Sequence, residues 1–263
     1  MKTNEIRLNN LKQKVKSQKN IQSFYDNLVA QEIVNHWNDE ELYGENTSYV
    51  LEESDFVDFS KHNRFCSYKD RVQRTRNKQI MHPNILSLSQ GTHSILSWNN
   101  LQICKTAFDF CIYTMLIQEI KPDVIVEFGS GSGGSAIWLT DLAIQNNKNF
   151  KKTYSYDKNK VNINYDNVNF IQCNLKNNNK FNWESGKKII IEDSHINITN
   201  NLLKTDKILN IGDYVIIEDS KPKHKEISNF LKQAKNNYLV DQFYLDFFGM
   251  NNSCCVDSIF KVV

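Results

Sequence analysis

The feature that most constrains the fold is the segment from Lys121 to Leu139, KPDVIVEFGSGSGGSAIWL. Pro122 ends any preceding helix, since proline cannot donate the backbone hydrogen bond that a helix interior needs. Residues 124–128 are mostly apolar and rich in β-branched side chains, which predicts a short buried strand. Glycines then lead into residues 136–139, which are predicted to be helical. A glycine turn between strand and helix is typical of nucleotide-type ligand sites, because a residue without Cβ lets a ligand lie against the main chain.

The spacing of the glycines fits two kinds of cofactor. Gly129, Gly131 and Gly134 match the dinucleotide pattern, whereas an acid followed by glycines matches S-adenosylmethionine (SAM) enzymes. Glu127 favours SAM, because a carboxylate attracts an ammonium or sulfonium group and repels a pyrophosphate. A turn that binds nothing is the less favoured alternative. The predicted cofactor-binding residues of this segment are Glu127, Gly129, Gly131, Gly133 and Ser135.

Composition favours a small-molecule partner. The chain has 263 residues and a net charge of +2 from 32 basic and 30 acidic side chains, so nothing drives general binding to nucleic acid or anionic membrane. The sequence contains no apolar run of about eighteen residues, and its first residues lack a secretory signal. We therefore expect a cytoplasmic protein whose six cysteines are free thiols.

Alternating strand and helix patterns predict an α/β fold with a doubly wound, Rossmann-like sheet. The last two strands are expected to form an antiparallel pair at the edge. We expect a helical N-terminal cap region over residues 1–97 and the catalytic domain over 98–263. Further strands are predicted at residues 153–157, 168–172, 188–193, 213–219, 238–243 and 255–263, and helices at 104–120 and 224–236.

The N-terminal third carries weaker patterns. Apolar spacing over residues 1–38 suits one or two amphipathic helices, and residues 39–97 suit a cap over the site. A basic run could meet a phosphate, although a solvated face is the favoured interpretation; its members are Arg71, Arg74, Arg76 and Lys78. The segment Gln90–His93 is a candidate polar loop.

Two further residues are predicted to bind the cofactor. Asp157 ends the second strand of the alternating region, where an acid accepts hydrogen bonds from both ribose hydroxyls of a nucleoside. Asn174 follows the third strand and is placed to touch an adenine edge. A solvated strand end is the alternative for Asp157.

Acids at the ends of the fourth and fifth strands predict a metal site. Glu192 and Asp193 end one strand, and Glu218 and Asp219 end the next. Because parallel neighbours lie about 4.8 Å apart, these four carboxylates converge and repel one another. A hard cation such as Mg²⁺, which prefers carboxylate oxygens, resolves that repulsion. The alternative is pairing of one or two acids with Lys188, Lys221 or Lys223.

His195 lies within reach of the same acids. A neutral imidazole there could take a proton from a hydroxyl group, with Asp193 completing the predicted catalytic pair.

These residues resemble the SAM-dependent and metal-dependent O-methyltransferases of the cephalosporin hydroxylase and rhamnosyl O-methyltransferase family. The motifs that carry the resemblance run from Trp98 through the glycine segment to Asp193-Ser194-His195, Gly212-Asp213-Tyr214 and Ile217-Glu218-Asp219. The resemblance implies a seven-stranded sheet, Mg²⁺ held by Glu218, Asp219 and an acid after the fourth strand, and His195 as base. The family pattern places an Asp where this chain has Glu192, so either Glu192 or Asp193 could be that ligand.

The expected function is therefore transfer of a methyl group from SAM to a hydroxyl of a sugar, nucleotide-activated or in a glycan precursor, or of a similar polyhydroxylated metabolite. A homo-oligomer is compatible with this function. The alternatives are an NAD-dependent oxidoreductase that uses the same glycines and a non-catalytic SAM-binding subunit.

Overall fold

The computed structural model describes residues 64–79, 96–177 and 181–263. The amphipathic helices expected over residues 1–38, the loop Gln90–His93 and most of the expected cap lie outside these residues. Within them, the chain forms an α/β fold around one large sheet, as the alternating pattern predicts.

Among the described residues the large sheet has eight strands: β1 Phe65–Cys66, β4 Val124–Phe128, β5 Lys152–Asp157, β6 Val168–Gln172, β7 Lys188–Glu192, β8 Tyr214–Ile217, β9 Tyr238–Asp241 and β10 Ile259–Val262. A separate hairpin is formed by β2 Ser97–Trp98 and β3 Leu101–Gln102.

The spatial order of the large sheet is β1-β9-β10-β8-β7-β4-β5-β6. The five adjacent strands β8, β7, β4, β5 and β6 are parallel, whereas β10 runs antiparallel to both β8 and β9. The sheet has one strand more than the seven expected, because β1 pairs with β9 and takes the edge position expected for the last pair.

Helices pack around this sheet. They are α1 Tyr68–Thr75, α2 Ala107–Ile120, α3 Gly134–Asn146, α4 Ile198–Asp206, α5 His224–Gln233 and α6 Gln242–Asp246. Helix α2 begins later than its apolar spacing indicates, because the Thr106 side chain accepts a hydrogen bond from the Asp109 backbone and closes a capping box. Among the described residues, none of these helices has both the length and the apolarity needed to cross a lipid bilayer.

The core lies on both faces of the central strands. Every residue of β4, β7 and β8 is buried, which is typical of parallel strands covered by helices on both sides. Charged side chains in these strands therefore need partners within the protein.

Arg71 on α1 shows how the N-terminal segment is attached. Its guanidinium is fully buried and makes two 2.5 Å hydrogen bonds to Asp246 and one of 2.7 Å to Asp257. The interpretation of this arginine as part of a solvated or phosphate-binding face is wrong, because both acids belong to the C-terminal part of the same chain. Residues 64–79 thus pack on the main sheet through a buried ion pair.

Candidate active site

A cavity of about 520 Å³ opens at the carboxyl ends of the parallel strands. This is the expected place for a ligand in a doubly wound sheet. Its lining brings together six of the predicted site residues, from the segments that follow four different strands and from the start of α3: Gly129, Gly131, Ser135, Asp157, Asn174 and Asp193.

The glycine turn after β4 approaches the end of β7 very closely. Gly129 has φ +109°, and a Cβ at this position would lie 2.7 Å from the Asp193 carbonyl oxygen. Only glycine accepts both conditions without strain. Gly133, with φ +86°, is the N-cap of α3 and packs against Phe170, and it does not line the cavity.

Glu127 lies beneath the turn instead of facing the cavity. Its carboxylate is fully buried and accepts hydrogen bonds from the hydroxyls of Ser135 (2.5 Å) and Ser155 (2.7 Å). Burial raises the pKa of this carboxyl group, against the opposing effect of Lys105 and the two serines. Glu127 is therefore not among the residues that line the cavity, and its contact with a cofactor stays a prediction.

Asp157 and Asn174 both line the cavity, next to the glycine turn. Asp157 accepts hydrogen bonds from the Gly131 backbone (3.1 Å) and the Asn159 backbone (2.8 Å), which fixes its carboxylate at the end of β5. Asn174 accepts a hydrogen bond from the Lys176 backbone through its side-chain oxygen. Their placement agrees with the two strand ends that the sequence singles out.

Three of the predicted catalytic and metal-binding residues form a cluster at the ends of β7 and β8. Asp193, His195 and Asp219 each offer a ligand atom within 4.8 Å of the others. The His195 Nε2 lies 3.5 Å from Asp193 Oδ1 and 3.4 Å from Asp219 Oδ2. The hydrogen bond to Asp193 raises the pKa of His195. Burial alone would raise the pKa of Asp193, but the charge of Lys105 and the bond from His195 hold it well below its usual range.

Glu218 is not among the three residues of this cluster, and its carboxylate bonds to Lys105 and to helix α2. Its Oε2 accepts a 2.5 Å hydrogen bond from the buried ammonium of Lys105, and its Oε1 accepts one from the Tyr113 hydroxyl. The same ammonium lies 3.2 Å from Asp193 Oδ2. Burial by itself would lower the pKa of Lys105, but the charges of Glu218 and Asp193 raise it, so the lysine is a cation.

Glu192 is also paired with a lysine. Lys223 donates to its Oε2 (3.0 Å), and the Ser194 hydroxyl donates to its Oε1 (2.7 Å). The pairing with lysine that the sequence allows as an alternative thus applies to Glu192. Of the two acids between which the sequence does not decide, Asp193 is the one that lies in the cluster with His195.

Sequence reasoning missed Lys105. The residue is nearly fully buried and lines the cavity, yet it belongs to no motif and lies 113 positions from Glu218. Its position directly before the helix cap at Thr106 is the one signal that could have found it, because a lysine there is poorly placed for the helix dipole.

A second group with ligand-type atoms lies behind the site: Asp109, Cys254 and Cys255. The Asp109 oxygens already accept hydrogen bonds from the Cys254 backbone and from the Thr106 hydroxyl and backbone. All six cysteines are free, as expected.

The doubly wound sheet, the glycine turn after β4 and the acids that follow β7 and β8 agree with the SAM-dependent methyltransferase that the sequence leads us to expect. A family model described as rhamnosyl O-methyltransferase/CmcI matches residues 90–238, which is more than half of the chain. The chain belongs to this family and is a SAM-dependent O-methyltransferase, which confirms the resemblance found in the sequence.

Solved structures show the same fold. A structure of CmcI with SAH is 24% identical, covers 64% of this chain and 82% of its own, and has a TM-score of 0.53. A CmcI structure with Mg-SAM is 20% identical, covers 78% of this chain and 99% of its own, and has a TM-score of 0.52. An apo structure of CmcI has the same identity and coverage and a TM-score of 0.54. No curated protein matches the sequence of this chain significantly.

Proposed function

We propose that this protein binds SAM in the cavity at the strand ends and transfers its methyl group to a hydroxyl of a sugar or similar polyhydroxylated metabolite, with help from Mg²⁺. The observation that carries the proposal is the placement of Asp193, which lines the cavity next to the glycine turn and also belongs to the cluster with His195 and Asp219. Cofactor and acceptor chemistry therefore meet at one residue.

The glycine turn and the end of β5 suit the cofactor. Gly131 lines the cavity with open space where a side chain would lie, so a ligand can approach its main chain, and Asp157 offers carboxylate oxygens to the ribose hydroxyls. Asn174 lies where it can contact the adenine edge. Glu127, held by Ser135, acts on the cofactor by fixing the turn.

The donor set of the cluster fits a hard divalent ion. Asp193 and Asp219 supply carboxylate oxygens, which Mg²⁺ prefers, and His195 lies between them. Among the related structures, CmcI with Mg-SAM supports this choice of metal. When bound, Mg²⁺ would polarise the acceptor hydroxyl. Glu192 and Glu218 carry lysine counter-charges and suit this role less well.

His195 suits the role of general base. Its side chain is about half exposed, and Asp193 lies 3.5 Å from Nε2, so the imidazole is accessible and oriented. In its neutral form it accepts the proton of the acceptor hydroxyl, the oxygen attacks the methyl carbon of SAM, and S-adenosylhomocysteine leaves. Alignment of the two reactants contributes a large part of the rate, since effective molarities of about 10⁵ M or more are reached in this way.

Calorimetric titration with S-adenosylhomocysteine and with NADH is the first test. Binding of the former alone supports the proposal, whereas binding of NADH alone would contradict the assignment of the cavity to SAM. Substitution of His195→Ala should abolish methyl transfer and leave affinity for S-adenosylhomocysteine unchanged. Loss of both would contradict the role as base, and binding without turnover on any sugar or nucleotide-sugar acceptor would favour the non-catalytic alternative.

We also propose that the protein is cytoplasmic. Those residues of 1–97 that do not belong to the sheet are proposed to shape the site for the acceptor. The balanced charge of the chain supports a small-molecule acceptor over nucleic acid. A homo-oligomer stays a prediction that light scattering in solution tests.

A further inference from the structure

Two adjacent cysteines and a buried carboxylate meet behind the active site. Cys254 and Cys255 lie in the segment before β10, and Asp109 lies in the first turn of α2. One ligand atom from each of these three residues lies within 4.8 Å of the other two. The group shares no residue with the acidic cluster that the proposed function assigns to Mg²⁺.

The separation of the two sulfur atoms fits the coordination of one metal ion. Cys254 Sγ and Cys255 Sγ are 3.7 Å apart. Two thiolates that bind one zinc ion at about 2.3 Å with tetrahedral geometry lie about 3.8 Å from each other. The cysteine pair can therefore take up such an ion without a change in this distance.

Asp109 offers the third ligand. Its carboxylate is 1% exposed, and the hydrogen bonds that it accepts come from neutral donors, the hydroxyl and backbone of Thr106 and the backbone of Cys254. Oδ1 accepts only the bond from Cys254, so a lone pair remains for an ion. Burial raises the pKa of this carboxyl group, against the opposing effect of its hydrogen bonds and of the charge of Lys105, with which it makes no ion pair. A bound divalent ion would supply the missing counter-charge at close range.

The segment with the cysteines also holds the chain just after β8. Ser220 donates to the Cys254 carbonyl through its backbone (3.2 Å) and to the Val256 carbonyl through its hydroxyl (2.9 Å). Ser220 directly follows Asp219 in the sequence. An ion held by Asp109 and the two cysteines would thus join the start of α2 to the segment that supports this strand end.

We propose that Asp109, Cys254 and Cys255 form a binding site for a thiophilic divalent ion of the zinc type, separate from the Mg²⁺ site. Zinc accepts thiolate and carboxylate ligands, whereas Mg²⁺ takes oxygen ligands. The three side chains leave the fourth tetrahedral position to a water molecule. Binding replaces the two thiol protons, which pass to the solvent, and no oxidation state changes.

Titration of the reduced, chelator-treated full chain with Co²⁺ tests this site. Co²⁺ substitutes for Zn²⁺ at tetrahedral sites, and its bonds to thiolates produce a charge-transfer absorption band that oxygen ligands do not produce. We expect one equivalent of Co²⁺ to develop this band and Zn²⁺ to remove it. Excess Mg²⁺, or Mn²⁺ as its paramagnetic substitute, should leave the band unchanged.

Substitutions assign the ligands. Cys254→Ser and Cys255→Ser should each lower the affinity for Co²⁺ at least tenfold. Cys111→Ser is the matched control, because Cys111 is exposed on the same helix as Asp109, and it should keep the band. A second measurement needs no substitution: saturating Zn²⁺ should slow alkylation of the partly exposed Cys254 at least tenfold and leave alkylation of Cys111 unchanged, as followed by peptide mass spectrometry.

Absence of the band at one equivalent of Co²⁺ would overturn the inference, and so would a band that both serine variants retain. Loss of the band on addition of Mg²⁺ would show that the two ions share one site. If the serine variants do not fold, equal alkylation of Cys254 with and without Zn²⁺ would still refute the site.

Discussion

Substitution of Arg71→Met should strongly destabilise the protein, without any change in the residues of the cavity. The guanidinium is fully buried, and all of its nitrogens donate hydrogen bonds, to Gln242, to Asn251 and to the two acids Asp246 and Asp257. Methionine fills much of the space but leaves Asp257 buried without a counter-charge and leaves Asp246 with Arg74 alone, 4.0 Å away. Removal of one partner of a buried ion pair costs about 3–5 kcal/mol.

This free energy predicts a large change in thermal stability. At about 2–4 °C per kcal/mol for a domain of this size, the melting temperature should fall by about 6–20 °C. Lys69→Met is the matched control, because Lys69 is exposed on the same helix, and it should change the unfolding free energy by less than about 0.5 kcal/mol. Urea unfolding followed by circular dichroism measures both variants. A loss below about 1 kcal/mol for Arg71→Met would refute the conclusion that this ion pair attaches the N-terminal segment to the sheet.

Three further predictions concern the site and its surroundings. Gly129→Ala should weaken binding of S-adenosylhomocysteine at least tenfold by calorimetry, because the new Cβ would lie 2.7 Å from the Asp193 carbonyl oxygen; unchanged affinity would show that the turn can relax freely. Asp157→Ala should weaken the same ligand and leave affinity for Mn²⁺ unaltered, and equal loss of both would argue against a ribose contact. Burial lowers the pKa of His224, whose Nδ1 contacts Tyr68. The folded protein therefore favours the neutral imidazole, and the stability that this imidazole contributes is complete above the unfolded pKa of about 6.5 and is lost as the pH falls. The melting temperature should therefore drop less between about pH 7.5 and pH 5.5 in His224→Gln than in the unsubstituted protein, and parallel curves would contradict this.

The sequence predicts the central part of the fold because its signals are local. Strand β6 has the predicted bounds, and β4, the glycine turn and α3 follow directly from apolar runs, proline and glycine. Strand β1 carries no such signal, because two residues have no periodicity and form a strand only by pairing with β9. Edge pairing of this kind depends on the assembled sheet.

In the site, too, the local signals are predictable from the sequence, whereas the contacts between distant segments are not. The acids at the ends of β7 and β8 are evident from the strand pattern. Of their lysine partners, Lys223 is among the alternatives that the sequence offers, and Lys105 is not. Lys105 and Lys223 reach Glu218 and Glu192 only through the packing of helices against the sheet, and the separations along the chain are 113 and 31 residues. A count of charges in sequence therefore overstates the repulsion that a metal ion would have to relieve.

The carboxylate of Glu127 joins three elements, because β4 carries it, Ser135 belongs to α3 and Ser155 belongs to β5. A turn that is braced from below loses little conformational entropy when a ligand arrives. Association with the cofactor should then have a small entropic penalty, and its rate should be limited by diffusion into the cavity and not by ordering of the loop. The conservative substitution Glu127→Gln keeps the shape of the brace while it weakens the bonds, and would reveal this effect as a slower association rate.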